Sequence, residues 1–338
     1  MQALEFQKSG KFELKEKTTP SLKNKEVLVE VKYCGLCGTD LRIYRGGFEA
    51  DFPVVLGHEF AGIIKKVGDE VNKYETGDRV AINPNKPCHR CEYCRSGREN
   101  LCTNLTSLGI DNDGGFAEFA AVPESSVYDL PKKLDFKSGA FVEPLSCAIH
   151  GIKSIEISKG DTVLVLGAGP TGLLLMQLAQ LSGASQVVSS DINAKRLKVA
   201  KQLGATETVN VSKRELSKAI SSIFGTDGAD TVIEAAGTKK TMSQSVKSVK
   251  PGGKILWFGV SSPEMEIPIK PFEIYQKELT IKGSFVNPYT TRAAIKLLAD
   301  EKIKTDQLIT HRFDLEQFGE AIDTYVNDDN RIKIMIKP

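Results

Sequence analysis

The sequence predicts an α/β protein with a β-rich first domain and a second domain built on a doubly wound parallel sheet. The first third of the chain contains short strands separated by turns with glycine and aspartate, as in a small β-barrel or sandwich. From about residue 146, short apolar strands alternate with helices, which indicates a parallel sheet covered on both faces. The final strand, RIKIMIKP, alternates like the first strands. We therefore predict three segments, 1–145, 146–286 and 287–338, and expect the last to return to the first domain.

Composition and charge exclude several classes of function. The 338 residues carry 45 Lys and Arg against 43 Asp and Glu, so the net charge of +2 gives no reason to expect a nucleic-acid partner. No apolar run reaches the ~18 residues of a membrane span, and the first residues are charged too early for a signal peptide. We expect a cytoplasmic protein that acts on a small molecule, without nucleic-acid or membrane partners.

A glycine motif follows the apolar strand VLVL and opens the helix TGLLLMQLA. Gly167, Gly169 and Gly172 form G-x-G-x-x-G in the strand–turn–helix context of a Rossmann nucleotide-binding domain. Asp191 ends the next strand, where a carboxylate would bind the ribose hydroxyls of NAD and repel the 2′-phosphate of NADP. The alternatives are a glycine turn of an unrelated α/β protein and Asp191 as a helix N-cap. The other predicted cofactor contacts are Pro170, Thr171, Arg196, Ala236, Gly259, Val260, Ser284 and Phe285.

Four of the seven cysteines lie in one short polar loop, PCHRCEYCRSGRENLC. Two-residue gaps separate Cys88, Cys91 and Cys94, and a longer gap leads to Cys102. Four thiolates fill a tetrahedral shell and leave no position open, which predicts a structural zinc within a lobe at about residues 84–104. A disulfide pair and an iron–sulfur cluster are the alternatives, although a reducing compartment argues against disulfides.

A second, open metal site is predicted from Cys37, His58 and Glu59. A cysteine, a histidine and a carboxylate with room for a further ligand match a catalytic zinc. Glu143 lies beside the predicted domain boundary, where a buried carboxylate is costly unless it faces a metal, its water or a cation. Cys34 and Cys147 are interpreted as core thiols.

Together these motifs resemble the zinc-dependent medium-chain alcohol dehydrogenases. GHEFAGIIKKVG resembles the zinc signature of that family, and the similarity extends over essentially the whole chain. CGLCGTD and EPLSCAIHG are most similar to the polyol branch, which includes sorbitol and xylitol dehydrogenases. The resemblance implies a GroES-like β-barrel catalytic domain, a Rossmann domain, two zinc ions per chain, NAD, and a homodimer or homotetramer.

The resemblance also implies roles for individual residues. Cys37, His58 and Glu59 match the catalytic zinc ligands of the polyol branch, and Glu143 matches a residue that binds zinc or its water. Thr39 would accept the alcohol proton, and Asp40 would orient His58. Many relatives have His at the position of Arg42, which cannot shuttle a proton near neutral pH, so we expect the relay to end in solvent.

The implied reaction is hydride transfer between NAD and a secondary alcohol, most often a polyol or sugar alcohol, free or phosphorylated. Val286 and Asn287 replace the Arg–Tyr pair with which sorbitol dehydrogenases contact the polyol, which disfavours sorbitol itself. Threonine, butanediol and simple secondary alcohols are alternative substrates. A zinc-free quinone reductase or a non-catalytic nucleotide-binding relative would lack metal ligands that this chain retains.

Overall fold

The structure is a computed structural model that describes residues 1–48, 50–225 and 227–338. It divides into two compact units. The first contains Met1–Ser146, Val286–Glu301 and Thr305–Pro338, and the second contains Cys147–Phe285 and Lys302–Lys304. No helix among the described residues combines the length and the apolar character that crossing a bilayer requires.

The first unit is dominated by antiparallel strands, as the turn-rich pattern predicts. Its helices before residue 156 are α1 (Gly38–Tyr44), α2 (Glu92–Arg95), α3 (Phe136–Ala140) and α4 (Val142–Ile155), of which α4 continues into the second unit. Its strands before that point are β1 (Gln2–Lys8), β2 (Lys11–Glu16), β3 (Glu26–Leu36), β4 (Val54–Val55), β5 (Glu59–Val67), β6 (Arg79–Ile82), β7 (Asn85–Lys86), β8 (Thr106–Ser107), β9 (Phe119–Pro123) and β10 (Val127–Asp129).

The second unit contains a six-stranded sheet in which every pairing is parallel. Its strands are β11 (Thr162–Leu166), β12 (Gln186–Asp191), β13 (Glu207–Asn210), β14 (Ala229–Glu234), β15 (Val249–Trp257) and β16 (Thr280–Gly283). Its helices are α5 (Pro170–Leu181), α6 (Ala194–Gln202), α7 (Leu216–Phe224), α8 (Lys239–Ser248) and α9 (Pro271–Gln276). The strand order is β13-β12-β11-β14-β15-β16. The chain adds strands outward from β11 to one edge and then from β14 to the other, which is the order of a Rossmann sheet. The predicted fold class is confirmed.

The chain then returns to the first unit. The returning elements are α10 (Thr291–Ala299), β17 (Ile309–Asp314), α11 (Phe318–Asn327) and β18 (Lys333–Lys337). Strand β18 pairs antiparallel with β3, with Ile334 opposite Leu36 and Ile336 opposite Cys34. The large sheet therefore has the order β10-β6-β5-β3-β18-β17, and β9 also pairs with β3. The final strand thus lies beside β3 in the sheet of the first unit.

Each unit has its own apolar core. In the first, the ring of Phe318 from α11 lies 5.9 Å from that of Phe6 and 5.0 Å from that of Phe116, so an aromatic cluster joins early and late parts of the chain. In the second, β11 is apolar and buried along most of its length because helices cover both faces of a doubly wound sheet.

Candidate metal centres and nucleotide site

The four cysteines of the polar loop come together in one cluster. Ligand atoms of Cys88, Cys91, Cys94 and Cys102 all lie within 4.8 Å of one another. Cys91 is the N-cap of the short helix α2, and its sulfur accepts a hydrogen bond from the Cys94 N–H. The helical turn therefore brings Cys94 close to Cys91. The Cys91 and Cys94 sulfurs are 3.5 Å apart and those of Cys88 and Cys94 4.0 Å apart, well beyond a disulfide bond of about 2.05 Å.

This geometry fits a tetrahedral zinc ion. Zinc–sulfur bonds of about 2.3 Å place the sulfurs of a tetrahedron about 3.8 Å apart, which lies between the two observed separations. Backbone N–H groups also point at the sulfurs, as at thiolate sites. Cys88 N–H donates to Cys102 Sγ at 3.2 Å, and the N–H groups of Cys94 and Thr103 lower the pKa of Cys91 to about 6. Burial raises the pKa of Cys94 to about 12, so the four sulfurs differ in acidity, and zinc binding would release the protons that remain on them.

The second cluster brings together Cys37, His58 and Glu59, whose ligand atoms also lie within 4.8 Å of one another. Strand pairing creates this proximity, because Glu59 begins β5 directly opposite Gly35 near the end of β3. Cys37 follows β3 as the N-cap of α1, and His58 precedes β5. His58 and Glu59 are buried and Cys37 is partly exposed, so the nitrogen and oxygen ligands of this set are removed from bulk water while its sulfur ligand is not.

Asp40 connects two of these residues. One oxygen of its buried carboxylate accepts a hydrogen bond from the Cys37 backbone N–H at 2.8 Å, and the other lies 3.4 Å from Nδ1 of His58. Burial alone would lower the pKa of His58, but the negative charges of Asp40 and Cys37 outweigh it and raise the pKa well above its usual value. Asp40 is thus placed to orient the imidazole, with its second nitrogen left to face a metal.

Lys333 is a member of this centre that the sequence analysis missed. Its ammonium group forms an ion pair with Oε2 of Glu59, and both side chains are almost fully buried. A Cβ atom at Gly35 would lie 2.2 Å from the Glu59 carboxylate and 2.7 Å from the Lys333 side chain, so only glycine leaves room for this pair. Lys333 begins a strand whose next three residues are all buried, and that is the signal that could have revealed it.

Glu143 lies outside this compact set. It is buried in the first turn of α4, but among the described residues the group that shares the 4.8 Å limit is restricted to Cys37, His58 and Glu59. Thr39 is partly buried in the first turn of α1, two residues after Cys37. The role of Glu143 in metal or water binding therefore stays a prediction.

Asn287, which the resemblance marks as a departure from the sorbitol enzymes, is 1% exposed. Its side chain accepts a hydrogen bond from Asn85 at 2.7 Å and donates one to Ser146 Oγ at 2.6 Å. The Ser146 hydroxyl in turn donates to the backbone carbonyl of Glu143 at 2.7 Å. The Asn287 side chain therefore links Asn85, in the cysteine lobe, to the first turn of α4 by hydrogen bonds.

The glycine motif of the second unit forms the expected turn between β11 and α5. Gly167 has φ +104°, a left-handed conformation that favours glycine. A Cβ atom at Gly172 would lie 1.9 Å from the Gly167 carbonyl oxygen, so the helix approaches the turn this closely only with glycine. Gly169 is the N-cap of α5 and Pro170 its first residue, which leaves the helix N-terminus available for a phosphate.

Asp191 ends β12 beside this turn. Its carboxylate accepts hydrogen bonds from the Ala168 N–H at 2.7 Å and from the Asn193 N–H at 2.8 Å. Asn193, rather than Asp191, caps α6 by accepting from the N–H groups of Lys195 and Arg196. The N-cap alternative for Asp191 is therefore wrong, and its role in binding a ribose stays a prediction.

The remaining predicted cofactor residues all lie in the second unit, and three of them follow β14 and β15 directly. Ala236 lies two residues after β14, and Gly259 and Val260 lie just after β15. Val260 and Phe285 are more than half exposed, and Ser284 Oγ is buried.

Cys34 is a core thiol as predicted, but Cys147 is partly exposed, so its interpretation as a core thiol is wrong.

Comparisons with known proteins match this arrangement. The alcohol dehydrogenase GroES-like domain matches residues 23–132, and the zinc-binding dehydrogenase domain matches residues 170–300. The chain is 34% identical to D-arabinitol dehydrogenase 1 of Uromyces fabae over 341 residues, which span 100% of this chain and 97% of the relative. The chain belongs to the zinc-dependent polyol dehydrogenase family. The resemblance stated from the motifs is confirmed.

Solved structures of this dehydrogenase family superpose on the whole chain. A Sinorhizobium meliloti protein described as a zinc-binding dehydrogenase, crystallised with NADP, is 38% identical and has a TM-score of 0.96, with 100% of this chain and 99% of that chain covered. Galactitol-1-phosphate dehydrogenase of Escherichia coli is 31% identical with a TM-score of 0.92, and both chains are covered completely.

Proposed function

We propose that the protein is an NAD-dependent zinc enzyme that oxidises a polyol or sugar alcohol, free or phosphorylated, to the ketose. The observation that carries this proposal is the cluster of Cys37, His58 and Glu59, which offers three ligand atoms within 4.8 Å and leaves a tetrahedral zinc an open position. Zinc there would act as a Lewis acid that lowers the pKa of a bound hydroxyl, and NAD would take up the hydride.

The chain's own residues hold and orient these groups. Cys37 and His58 would bind the catalytic metal, while Asp40 accepts a hydrogen bond from the Cys37 backbone N–H and lies 3.4 Å from Nδ1 of His58. The Glu59 carboxylate faces both the ligand cluster and the ammonium group of Lys333. A metal ion at the cluster would therefore compete with Lys333 for this carboxylate. Thr39 would accept the proton that the substrate hydroxyl loses while passing its own proton towards the cofactor ribose and solvent, and Glu143 would position the metal-bound water or hydroxyl.

The second proposed metal site has a purely structural role. The four thiols of Cys88, Cys91, Cys94 and Cys102 satisfy a zinc ion completely, so this loop takes no part in the chemistry. We therefore propose two zinc ions per chain, of which the ion at the three-ligand site is the more readily removed.

The choice of NAD over NADP rests on Asp191. Its carboxylate is anchored by two backbone N–H groups beside the glycine turn, so it cannot swing away from a 2′-phosphate without losing both. The Sinorhizobium meliloti relative is bound to NADP, which makes this choice an experimental question. Titration of the protein with NADH and NADPH under identical conditions tests it, and we expect tighter binding of NADH.

The substrate class is supported by relatives that act on D-arabinitol and on galactitol 1-phosphate. We propose testing NAD⁺ reduction with polyols, polyol phosphates, threonine, butanediol and isopropanol at equal concentrations. Turnover of polyols or their phosphates alone supports the proposal. Turnover of threonine or a simple secondary alcohol in preference to every polyol would replace it with one of those activities. A Cys37→Ser variant is the control for activity that does not require the catalytic metal.

We also propose a homotetramer built from homodimers. Strand β16 lies at one edge of the six-stranded sheet, where its outward N–H and C=O groups are available to a second copy. The preceding helix α9 exposes Phe272 and Tyr275, whose rings lie 6.1 Å apart. Light scattering behind a sizing column measures the assembly, and Phe272→Ser should lower its mass if this edge forms an interface.

A further inference from the structure

A buried carboxylate in the second unit has no role among the predicted cofactor contacts. Glu234 is the last residue of β14 and its side chain is completely buried. An acidic group in an apolar sheet is costly unless hydrogen bonds compensate it, so its partners indicate its purpose.

Oxygen Oε1 of Glu234 binds the loop that follows its own strand. It accepts hydrogen bonds from the backbone N–H groups of Ala236 at 2.9 Å and Gly237 at 2.8 Å, and from the hydroxyl of Thr241 at 2.7 Å. Thr241 lies in the first turn of α8, whose N-cap is Thr238. One oxygen therefore fixes both the loop and the start of the next helix, through charge-assisted hydrogen bonds of the stronger kind.

Oxygen Oε2 faces the loop that follows the neighbouring strand β15. A Cβ atom at Gly259 would lie 2.7 Å from this oxygen, and the Gly259 N–H donates to the backbone carbonyl of Glu234 at 2.9 Å. Among the residues that the structure describes, Oε2 has no hydrogen-bond partner. A Cβ at Gly237 would in turn meet the Val260 carbonyl oxygen at 2.4 Å, so the two loops are in close contact above the carboxylate.

The same loop touches the glycine turn. A Cβ atom on Gly167 would lie 3.1 Å from Cβ of Ala236, and the Ala235 N–H donates to the carbonyl of Leu166 at 2.9 Å. The carboxyl ends of β11, β14 and β15 are where a doubly wound sheet binds its ligand. Glu234 thus lies beneath three of the segments that would contact a dinucleotide.

We infer that Glu234 is the positioning residue of the dinucleotide site: its carboxylate holds the loops after β14 and β15 in the conformation that accepts the cofactor. The inference rests on the proposed NAD-dependent function. Glu234 itself touches no cofactor atom in this scheme. It acts through Ala236, Gly237 and Gly259, whose backbone it holds against the glycine turn.

The test uses Glu234→Gln, which retains the shape of the side chain and removes its charge. The amide oxygen then meets three donors without a negative charge, and the amide nitrogen takes the place of Oε2 against Gly259. The loops should loosen. We expect the Kd for NADH, measured by enhancement of its fluorescence on binding, to rise about tenfold or more.

Asp230→Asn is the matched control. Asp230 lies at the opposite end of the same strand, accepts hydrogen bonds from the N–H and hydroxyl of Thr162 at 2.9 and 2.6 Å, and pairs with Lys250. It should lower the thermal midpoint of the cofactor-free protein to a similar degree, yet change the Kd for NADH less than about twofold. This comparison separates positioning of the loops from general loss of stability.

The outcomes are distinguishable. Glu234→Gln with a Kd within twofold of the wild type, or Asp230→Asn weakened to the same extent, would overturn the inference and leave the proposed function intact. A wild-type protein that binds neither NADH nor NADPH would overturn the proposed function and this inference with it. If Glu234→Gln does not fold, Thr241→Val removes one of the three donors, and an unchanged NADH affinity in that variant would count against the inference.

Discussion

The buried ion pair between Lys333 and Glu59 gives a quantitative test of how the open metal centre is held together. The perturbation is Lys333→Met, which retains most of the side-chain length and removes the charge. The two side chains are 4% and 3% exposed, so the Glu59 carboxylate would remain buried without its cation. Burial alone would lower the pKa of Lys333, but the charges of Glu59 and Cys37 raise it, so the ammonium group is the partner on which the carboxylate depends.

The expected magnitude follows from this burial. Removing one partner of a buried ion pair costs about 3–5 kcal/mol, because the remaining charge is left uncompensated. Two charges about 4 Å apart at an effective dielectric of about 20 attract by about 4 kcal/mol, which agrees with that range. For a unit of about 200 residues, a loss of about 4 kcal/mol lowers the thermal midpoint by about 8–16 °C.

Chemical denaturation of protein treated with a mild chelator is the suitable assay, because a zinc ion bound to Glu59 would itself supply positive charge. The double variant Lys333→Met with Glu59→Gln replaces both charges by neutral groups and should recover most of the lost stability. The double-mutant cycle should therefore give a coupling free energy of at least about 2 kcal/mol. Lys337→Met is the matched control: this residue ends the same strand but is exposed, so its loss should change stability by less than about 0.5 kcal/mol.

Two results would refute this reasoning. If Lys333→Met costs less than about 1 kcal/mol, the pair is either solvated or not formed in the protein. If the double variant is as unstable as the sum of the single variants, the two charges do not stabilise each other, and the burial of Lys333 has another cause.

Four further measurements test other parts of the site. Elemental analysis of protein purified without chelator should find two zinc ions per chain, and one or none would contradict the two ligand sets; mild chelation should abolish activity before it unfolds the protein. Asp191→Ala should weaken NADH binding and reduce discrimination against NADPH, whereas a wild type that prefers NADPH would exclude the assigned role. Glu143→Gln should keep its zinc while kcat falls ~10²-fold, a loss of roughly 2.7 kcal/mol in transition-state stabilisation, and Cys37→Ser should lose zinc and activity together; loss of zinc in both would make Glu143 a direct ligand. Asn287→Ala should lower the thermal midpoint, since a fully buried amide with two side-chain partners is removed, and an unchanged midpoint would show that these hydrogen bonds contribute nothing.

The features that could be predicted from the sequence are those that depend on local pattern. Alternating and continuous apolar runs and glycine positions predicted the strands and the turn at Gly167. The spacing of the thiols predicted that the four cysteines of the polar loop lie close together. Asp191 and Asn193 are both suitable helix caps. The choice between them depends on backbone angles that spacing does not report, and the structure assigns the cap to Asn193.

The contacts that could not be predicted depend on long-range register. Lys333 meets Glu59 only because β18 pairs with β3 and β3 pairs with β5, and a shift of one residue would turn the lysine to the other face. Glu234 is the last residue of its strand, and the sequence around it does not indicate whether its carboxylate is buried or exposed. Its purpose becomes visible only when the loops after two neighbouring strands are seen to meet on it.

The pairing of β18 with β3 also sets an order of events during synthesis. Cys37, His58 and Glu59 are made early, but Lys333 is translated about three hundred residues after Cys37, and at about 5–20 residues per second that interval is on the order of 15–60 s. While the second unit is being made, Lys333 does not yet exist, so Glu59 has no partner from β18 during that interval.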